Sequence, residues 1–429
     1  MKTLNTTQQS VNSIIQTIQS VRSKNEDVES VVRPIMEKVK KEGDKAVINY
    51  TKMFDGVKLE NFQVSNEEIK EAIKITPKEL LDSLKRAKKN IEIFHKAILR
   101  KKEVVIETEK GVKTWREFRP IEKVGLYVPG GKAAYPSTVL MLAIPAKIAG
   151  CKEIAICTPC NKKGKCNATV LAAANLCGIN KIFKIGGAQS IAAMAYGTES
   201  VPKVYKVFGP GNQYVTTAKV LAYGEIDIDM PAGPSEVLII ADETANPKWV
   251  AADLLSQLEH GEDSQAVLVT TSERLAKSVQ YELIVQVEKL SRKSIIEKSM
   301  KLSFIVIVKN LNEAVEISNE YAPEHLELDT NNPESLIPKI INAGSVFVGK
   351  YTSEPLGDYA SGTNHTLPTS GYAKMFSPLS TDSFGKMVQF QNVSKQGLKN
   401  LSRTVEILAN SEGLDAHKNA IKIRFTLND

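Results

Sequence analysis

The sequence predicts an α/β protein of two Rossmann-like parallel-sheet domains, with a helical N-terminal arm and a helical C-terminal tail. Two observations support this prediction. From Val124 onward, short apolar strands alternate with helical segments, an order typical of parallel sheets. Several of these strands also run directly into turns rich in glycine or proline, which would gather at the carboxyl edge of such a sheet.

The first set of strands is expected at 124–128, 153–157, 181–185 and 204–208. Three of them end in the turns Pro129-Gly130-Gly131, Gly186-Gly187-Ala188-Gln189 and Gly209-Pro210-Gly211-Asn212. None is a complete dinucleotide fingerprint; in the third turn, Tyr214 stands where the last glycine belongs. Together the turns would line one crevice, and Tyr127, Gln189 and Asn212 would project into it.

A second set of strands is expected at 236–241, 265–270, 304–308, 325–329 and 345–348. Before these sets, residues 102–108 and 113–120 predict a hairpin around Lys110-Gly111. We therefore divide the chain into an arm (1–25), one α/β domain (26–123 with 236–383), a second (124–235) and a tail (384–429). The tail has helical periodicity but too few apolar positions for its own core, so we expect it to dock elsewhere.

The composition is that of a soluble globular protein, with 42% hydrophobic and 24% charged residues. No apolar run approaches the roughly 20 residues of a membrane span, and residues 1–19 lack the apolar core of a signal peptide. We therefore expect a cytoplasmic protein without membrane contact. The net charge is +7, but the lysines are scattered without aromatic interleaving, which favours solvated helix faces over nucleic-acid binding.

All five cysteines fall between residues 151 and 177. Cys157 and Cys160 have the spacing of half a zinc site, with Cys166 as a third candidate. A second such pair is missing and no histidine lies nearby, so buried thiols in a reducing compartment are the simpler interpretation.

Gln257 and His260 lie near the end of a predicted helix whose apolar stripe includes Leu254 and Leu258. Helical spacing puts both on the margin of that stripe, where side chains can face a cleft. On spacing alone, the favoured interpretation is that they only cap a helix that stops at Gly261.

The chain has only five histidines, and four of them stand beside glycine, proline or a carboxylate: His260, His325, His365 and His417. Imidazole, carboxamide and carboxylate groups together suit zinc with one exchangeable position. Glu324 and His325 follow Pro323 at a loop-to-strand junction and supply two potential bases near neutral pH.

Eight segments, in order, resemble the histidinol dehydrogenase family from about residue 26 to the end. They are Gly-Leu-Tyr-Val-Pro-Gly-Gly (125–131), Gly-Gly-Ala-Gln (186–189), Gly-Pro-Gly-Asn (209–212), Met-Pro-Ala-Gly-Pro-Ser-Glu (230–236), Gln257 with His260, Tyr-Ala-Pro-Glu-His-Leu (321–326), Gly-Asp-Tyr to Leu-Pro-Thr (357–369) and Glu-Gly-Leu to His (412–417). The resemblance implies that L-histidinol, an amino alcohol, is oxidised twice by NAD, through the aldehyde, to L-histidine, the last step of histidine biosynthesis.

The resemblance also implies roles for single residues. His325 would take the alcohol proton, and Glu324 would activate water for the second oxidation. Zinc would position the imidazole and amine of the substrate, held by Gln257, His260, Asp358 and His417. NAD would contact Tyr127, Gln189 and Asn212. Substrate would contact Ser235, Gln257, His260, His325, Asp358, His365, Glu412 and His417. In relatives the tail crosses to a second subunit, so the resemblance implies a homodimer with shared sites, in which residues 124–235 bind NAD and residues 26–123 with 236–383 bind zinc and substrate.

The positions of the cysteines agree with one of these steps. Many enzymes that oxidise aldehydes capture them on a thiolate, but here every cysteine is far in sequence from the histidine segments. A hydrated aldehyde formed by a carboxylate base is therefore favoured.

Two interpretations from other functional classes are open to test. A zinc-dependent hydrolase would use the same ligands without an NAD crevice, so NADH formation separates it from a dehydrogenase. A basic RNA-binding protein would show salt-sensitive RNA affinity and no metal.

Overall fold

The computed structural model describes residues 1–22, 28–100, 103–130 and 134–425. Its strands are β1 (Lys2–Asn5), β2 (Ile106–Glu109), β3 (Val112–Pro120), β4 (Lys123–Tyr127), β5 (Glu153–Cys157), β6 (Ile182–Phe183), β7 (Lys206–Phe208), β8 (Asp227–Ile228), β9 (Glu236–Ala241), β10 (Gln265–Thr270), β11 (Phe304–Ile307), β12 (His325–Asp329), β13 (Ser345–Val348) and β14 (Gly385–Val393). The proposed boundary between residues 25 and 26, the first residue of the expected hairpin and Gly131 lie outside the described residues.

The α-helices are α1 (Val11–Ser20), α2 (Glu29–Glu42), α3 (Asp44–Asp55), α4 (Asn66–Ile75), α5 (Lys78–Ala97), α6 (Pro136–Ala149), α7 (Ala168–Leu176), α8 (Gly187–Tyr196), α9 (Gln213–Ala222), α10 (Pro247–Leu258), α11 (Glu273–Val287), α12 (Lys293–Ser299), α13 (Leu311–Tyr321), α14 (Glu354–Tyr359), α15 (Lys395–Ser411) and α16 (Asp415–Lys422). The chain forms two compact units, a larger one of residues 1–98 and 121–384 and a smaller one of residues 99–120 and 385–429. None of the described helices is both long and apolar enough to cross a membrane.

The larger unit contains two parallel sheets, which confirms the predicted fold class. The six-stranded sheet has the order β1-β11-β10-β9-β12-β13, and the five-stranded sheet has the order β6-β5-β4-β7-β8. Five strands have the predicted bounds: β5, β9, β10, β12 and β13. β9 and β10 could be predicted because the strands of a parallel sheet are covered on both faces and so tend to be continuous apolar runs. Every residue of β9 and β10 is buried.

The five-stranded sheet has a topological switch point between β4 and β7. The chain goes from β4 to β5 and β6 on one side and then returns to β7 on the other. Ligands of open α/β sheets bind at the carboxyl ends of the strands at such a point. Here Tyr127 ends β4, and Asn212 follows β7 and begins α9 as its N-cap.

The N-terminal arm differs from the prediction because it begins with a strand. β1 pairs in parallel with β11 at the edge of the six-stranded sheet, and only then does α1 follow. Four residues with one buried apolar side chain, Leu4, are too few to show a strand pattern. α1 then buries Ile14, Ile15 and Ile18 in the core of this sheet.

The smaller unit also differs from a wholly helical tail. β14 pairs antiparallel with β3 along nine residues, and β3 forms the predicted hairpin with β2. β14 is exposed over much of its length, so its apolar alternation is weak and the sequence did not reveal it. Among the described residues of this unit, the buried apolar side chains are Val112 and Ala409, so it has little core of its own.

The proposed division of the larger unit into an NAD domain and a zinc and substrate domain stays a prediction. The proposed zinc and substrate domain begins with residues 26–123, which include α2 and α3. These two helices contribute Val32, Met36 and Val47 to a core cluster. The same cluster contains Cys157 and Val207 from the five-stranded sheet. These N-terminal helices therefore pack on the sheet that carries the predicted NAD turns.

The turn after β7 is fixed by a buried ion pair. Lys219 and Asp229 are almost fully buried and form a salt bridge. The Lys219 ammonium also donates to the Gly209 carbonyl at 3.0 Å, and the Gly209 N–H donates to the Asp229 carboxylate at 2.7 Å. Gly209 itself has φ +119°, and a Cβ there would lie 2.1 Å from the Tyr127 carbonyl oxygen.

We predict that Gly209→Ala is much more destabilising than Gly224→Ala. Both glycines have left-handed φ, but a Cβ on Gly224 (φ +101°) would meet no atom within 4 Å. The control should therefore cost about 1 kcal/mol of unfolding free energy from backbone strain alone. Gly209→Ala should cost about 2 kcal/mol more, because the Tyr127 backbone must move. Urea denaturation of both variants measures the difference, and equal costs would contradict the close approach.

Candidate active site

The predicted catalytic residues lie at the amino edge of the six-stranded sheet. His325 begins β12 and is paired with Val237, the second residue of β9, and with Ser345, the first residue of β13. α10 starts near the carboxyl edge, after β9, and runs back across the sheet. Gln257 in its last turn and His260 just beyond it therefore reach the same edge.

The peptide backbone of Glu236 holds Glu324 and His325 in place. The Glu236 carbonyl oxygen lies 3.1 Å from His325 Nδ1, and the Glu236 N–H donates to Glu324 Oε2 at 2.9 Å. A carbonyl can only accept, so Nδ1 carries the hydrogen and Nε2 is left with its lone pair when the ring is neutral. The backbone of a single residue, Glu236, thus orients both side chains and sets the tautomer of the His325 imidazole.

His325 Nε2 faces carboxylates from α14. It lies 3.6 Å from Asp358 Oδ1 and 4.0 Å from Glu354 Oε1. Residues four apart on a helix share a face, which explains why Glu354 and Asp358 point the same way. The start of α14 is held by Glu327, whose carboxylate accepts the Glu354 N–H at 2.8 Å, while Ser256 Oγ donates to Glu354 Oε2 at 3.0 Å.

Three side chains of this cluster could hold a metal ion. One potential ligand atom from each of His260, Glu354 and Asp358 lies within 4.8 Å of the others. Gln257 is fully buried, and neither atom of its amide has a hydrogen-bond partner. Leaving a buried amide unpaired costs about 1–3 kcal/mol, so this orphaned group is itself evidence for a ligand. The nitrogen and oxygen donors present fit a zinc ion.

Burial and the carboxylates shift the pKa values of these groups in opposite directions. Burial lowers the pKa of His260, which favours the neutral imidazole that a metal requires, and burial raises the pKa of Glu324 to about 8. Burial would also lower the pKa of His325, but Glu324, Asp358 and Glu354 outweigh it and raise that pKa to about 10. A cation bound by these carboxylates would lower the pKa of His325 again.

The three predicted NAD residues line one cavity. Its volume is about 1010 Å³, and its walls include Tyr127, Gln189 and Asn212. The Tyr127 hydroxyl accepts from the Gly187 N–H at 3.3 Å, and the buried Gln189 amide has no partner. A second cavity of about 330 Å³ includes His260, and Ala134 lines both. The two cavities therefore share a wall residue, and His260 lines the smaller one.

The remaining predicted residues fall into two groups. Ser235 is half-buried beside β9, and His365 Nε2 lies 3.5 Å from the Thr138 hydroxyl in the larger unit. Glu412 and His417 belong to the smaller unit, where Glu412 is the C-cap of α15 and His417 lies in α16. Both are exposed, and their part in the site stays a prediction.

Sequence reasoning missed Glu354 and Glu236. Glu354 had a usable signal, because it stands four residues before Asp358 and is followed by a proline. A proline in the first turn is typical of a helix start, and residues four apart on a helix share a face. Glu236 had no such signal, because its contacts to Glu324 and His325 come from its backbone, and any residue carries the same N–H and C=O groups.

Comparisons with known proteins agree on one family. The histidinol dehydrogenase family model matches residues 18–425. The chain is 54% identical over 400 residues to a histidinol dehydrogenase of Bacteroides fragilis and 49% identical over 399 residues to one of Methanocaldococcus jannaschii, covering 93% of both chains in each case. It also matches the crystal structure of histidinol dehydrogenase from Elizabethkingia anophelis, with TM-score 0.95, 48% identity and 99% and 98% of the two chains covered.

We predict that Gln257→Leu weakens zinc binding without destabilising the metal-free protein. The amide makes no hydrogen bond to lose, whereas loss of a ligand should reduce zinc affinity about tenfold or more. Gln265→Leu is the matched control, because the buried Gln265 amide donates to Ile18 and Leu302 carbonyls. Urea denaturation in chelator and calorimetric zinc titration measure the two effects. Equal destabilisation by both variants, or unchanged zinc affinity in Gln257→Leu, would refute the assignment.

Proposed function

The chain belongs to the histidinol dehydrogenase family, and from this membership we propose that it oxidises L-histidinol through the aldehyde to L-histidine with two NAD. The first oxidation removes a hydride and a proton from the alcohol. Water then adds to the aldehyde, and the second oxidation removes a hydride and a proton from the hydrate to leave the carboxylic acid, which loses a further proton to become the carboxylate. Bound NAD supplies the hydride acceptor in each oxidation.

The observation that carries this proposal is that the backbone of Glu236 makes a hydrogen bond to each of Glu324 and His325. An alcohol oxidation needs one base, and the hydration of an aldehyde needs a second. His325 is the base for the alcohol, because its Nδ1–H is fixed on the Glu236 carbonyl and its Nε2, which faces Asp358 of α14, keeps its lone pair when the ring is neutral. Glu324 is the base for water: burial raises the pKa of its carboxyl to about 8, which brings it near neutral pH.

The cysteines give this route indirect support. All five are free thiols, and burial raises the pKa of Cys166 and Cys177 to about 12. Such thiols carry almost no thiolate at neutral pH and are poor nucleophiles for an aldehyde. We therefore assign the second oxidation to a hydrate, and we place the protein in the reducing cytoplasm.

We propose that one zinc ion per subunit is held by Gln257, His260 and Asp358 together with His417 of the partner subunit. The unpartnered Gln257 amide and the clustered His260 and Asp358 support the first three. Glu354 is a further candidate for the ion or for the substrate amine, because it faces the same space. When bound, zinc supplies fixed positive charge that positions the imidazole and amine of the substrate.

For the other contacts, we propose that NAD binds in the large cavity against Tyr127, Gln189 and Asn212. Three turns of the five-stranded sheet border this cavity, and the Gln189 amide is available to a ligand. Substrate would touch Ser235 and His365, with Glu412 of the partner subunit completing the set.

The smaller unit supports a homodimer. Its described part buries little apolar surface, yet Ile407, Leu408 and Leu414 are 58%, 57% and 40% exposed. Ile407 and Leu408 lie in the amphipathic helix α15, and Leu414 is the N-cap of α16. Exposed apolar residues grouped in this way often mark an interaction surface. We propose that this partner is a second copy of the chain.

Removal of metal should abolish histidinol-dependent NADH formation, because the substrate would no longer be positioned. Dialysis against a chelator followed by added zinc should remove and restore the absorbance signal of NADH. Full activity in a preparation shown to be free of metal would contradict the zinc proposal. A zinc-dependent hydrolase would form no NADH in either state.

Glu324→Gln and His325→Gln should separate the two oxidations. His325→Gln should slow both, because a proton leaves with each hydride, whereas Glu324→Gln should mainly slow the oxidation of the aldehyde. Losing a general base commonly costs about 10² to 10⁴ in rate. Assays started with histidinol and with histidinal measure the two steps, and equal slowing of both by Glu324→Gln would rule out this division of roles.

Two inactive variants should restore each other if the sites are shared. In a mixed dimer of His260→Asn and His417→Asn subunits, one site receives both defects and the other receives neither. Random exchange would give up to about half of the dimers one intact site. Mass analysis verifies the exchange, and absence of activity in verified mixed dimers would place His417 in the site of its own subunit.

A further inference from the structure

Arg22, the last described residue of the N-terminal arm, reaches the strand that begins the active site. Its Nε lies 2.9 Å from Glu236 Oε1, and its Nη2 donates to Glu236 Oε2 at 3.1 Å. Nη2 also donates to the Tyr321 carbonyl at 2.7 Å, and the guanidinium lies 3.7 Å above the Tyr321 ring. The ion pair is largely buried: the Arg22 and Glu236 side chains are 12% and 3% exposed.

Glu236 is thereby fixed at both its side chain and its backbone. The carboxylate accepts from Arg22 and from the Ser370 N–H at 3.1 Å. The backbone N–H and C=O of the same residue hold Glu324 and His325. Any movement of the Glu236 side chain that turns its peptide groups would therefore move both proposed bases together.

We propose that Arg22 is a positioning residue for the Glu324–His325 pair and acts on it through Glu236. The inference rests on the proposed function of that pair. Without Arg22, Glu236 is a buried carboxylate without its cation, a state that proteins avoid by protonation or by movement toward water. Either response alters the side-chain contacts that hold Glu236, the first residue of β9. The backbone of Glu236 is hydrogen-bonded to both proposed bases.

The surroundings of Arg22 favour arginine over lysine. The planar fork pairs with Glu236 and the Tyr321 carbonyl while stacking on the Tyr321 ring. The Tyr321 hydroxyl donates to Gln265 Oε1 at 2.7 Å, which fixes the ring below the guanidinium. Lysine would keep the positive charge beside Glu236 but could not make all of these contacts at once.

The test compares Arg22→Met, Arg22→Lys and Gln19→Ala in the full-length, zinc-loaded protein. Gln19 is the matched control, because it lies in the same arm and donates to the Glu320 carbonyl at 2.9 Å, but it does not touch Glu236. For each variant, kcat and KM for histidinol and NAD are measured together with the thermal unfolding midpoint.

Arg22→Met should lower kcat about 10- to 100-fold, since small displacements of reacting groups have effects of this size, with KM values within about threefold. Arg22→Lys should recover a large part of the loss, and Gln19→Ala should leave kcat unchanged. If Arg22→Met does not fold, Glu236→Gln replaces it: this variant breaks the same ion pair with almost no change in shape, and kcat should fall similarly.

Three results would overturn the inference: unchanged kcat in folded Arg22→Met, equal losses in Arg22→Lys and Arg22→Met, or an equal loss in Gln19→Ala. A merely structural contact would lower the unfolding midpoint without this split between kcat and KM. Wild-type protein that forms no NADH from histidinol would overturn the proposed function as well. Active wild-type protein with an insensitive Arg22 overturns this inference alone.

Discussion

The candidate site depends on the backbone of one residue, Glu236, at the start of β9. The Glu236 N–H and C=O groups bind Glu324 and His325, so the geometry of both proposed bases is set by backbone rather than by flexible side chains. A backbone anchor is rigid because β9 is a central strand, paired on one side with β10 and on the other with β12. The Arg22 side chain from the arm and the Ser370 backbone N–H then hold the Glu236 carboxylate.

The two parallel sheets place the predicted site residues at opposite edges. The five-stranded sheet presents its carboxyl edge to the large cavity, which is the usual arrangement for an α/β ligand site. The six-stranded sheet presents its amino edge, where α10 ends and α14 arrives with Glu354 and Asp358. The amino ends of strands are less common positions for ligand sites in α/β proteins. Here the buried Glu327 carboxylate accepts the N–H at the start of α14 and so keeps the α14 carboxylates beside His325.

The sequence was sufficient where periodicity or local motifs determine structure. The buried strands β9 and β10 could be placed because most of their residues form a continuous apolar run, and Glu324 and His325 drew attention because of the residues beside them. β1 and β14 could not, since one is very short and the other is largely exposed. The link from Arg22 to Glu236 joins residues 214 positions apart, and no local pattern encodes a contact of that kind.

The proposed double oxidation at a single site is tested most directly by its stoichiometry. Limiting L-histidinol is incubated with excess NAD and zinc-loaded protein until the absorbance of NADH stops rising. Four electrons leave the alcohol on the way to the acid and each NAD accepts two, so about two NADH should form per histidinol. About one NADH per histidinol, with the aldehyde accumulating, would contradict the second oxidation and the role proposed for Glu324.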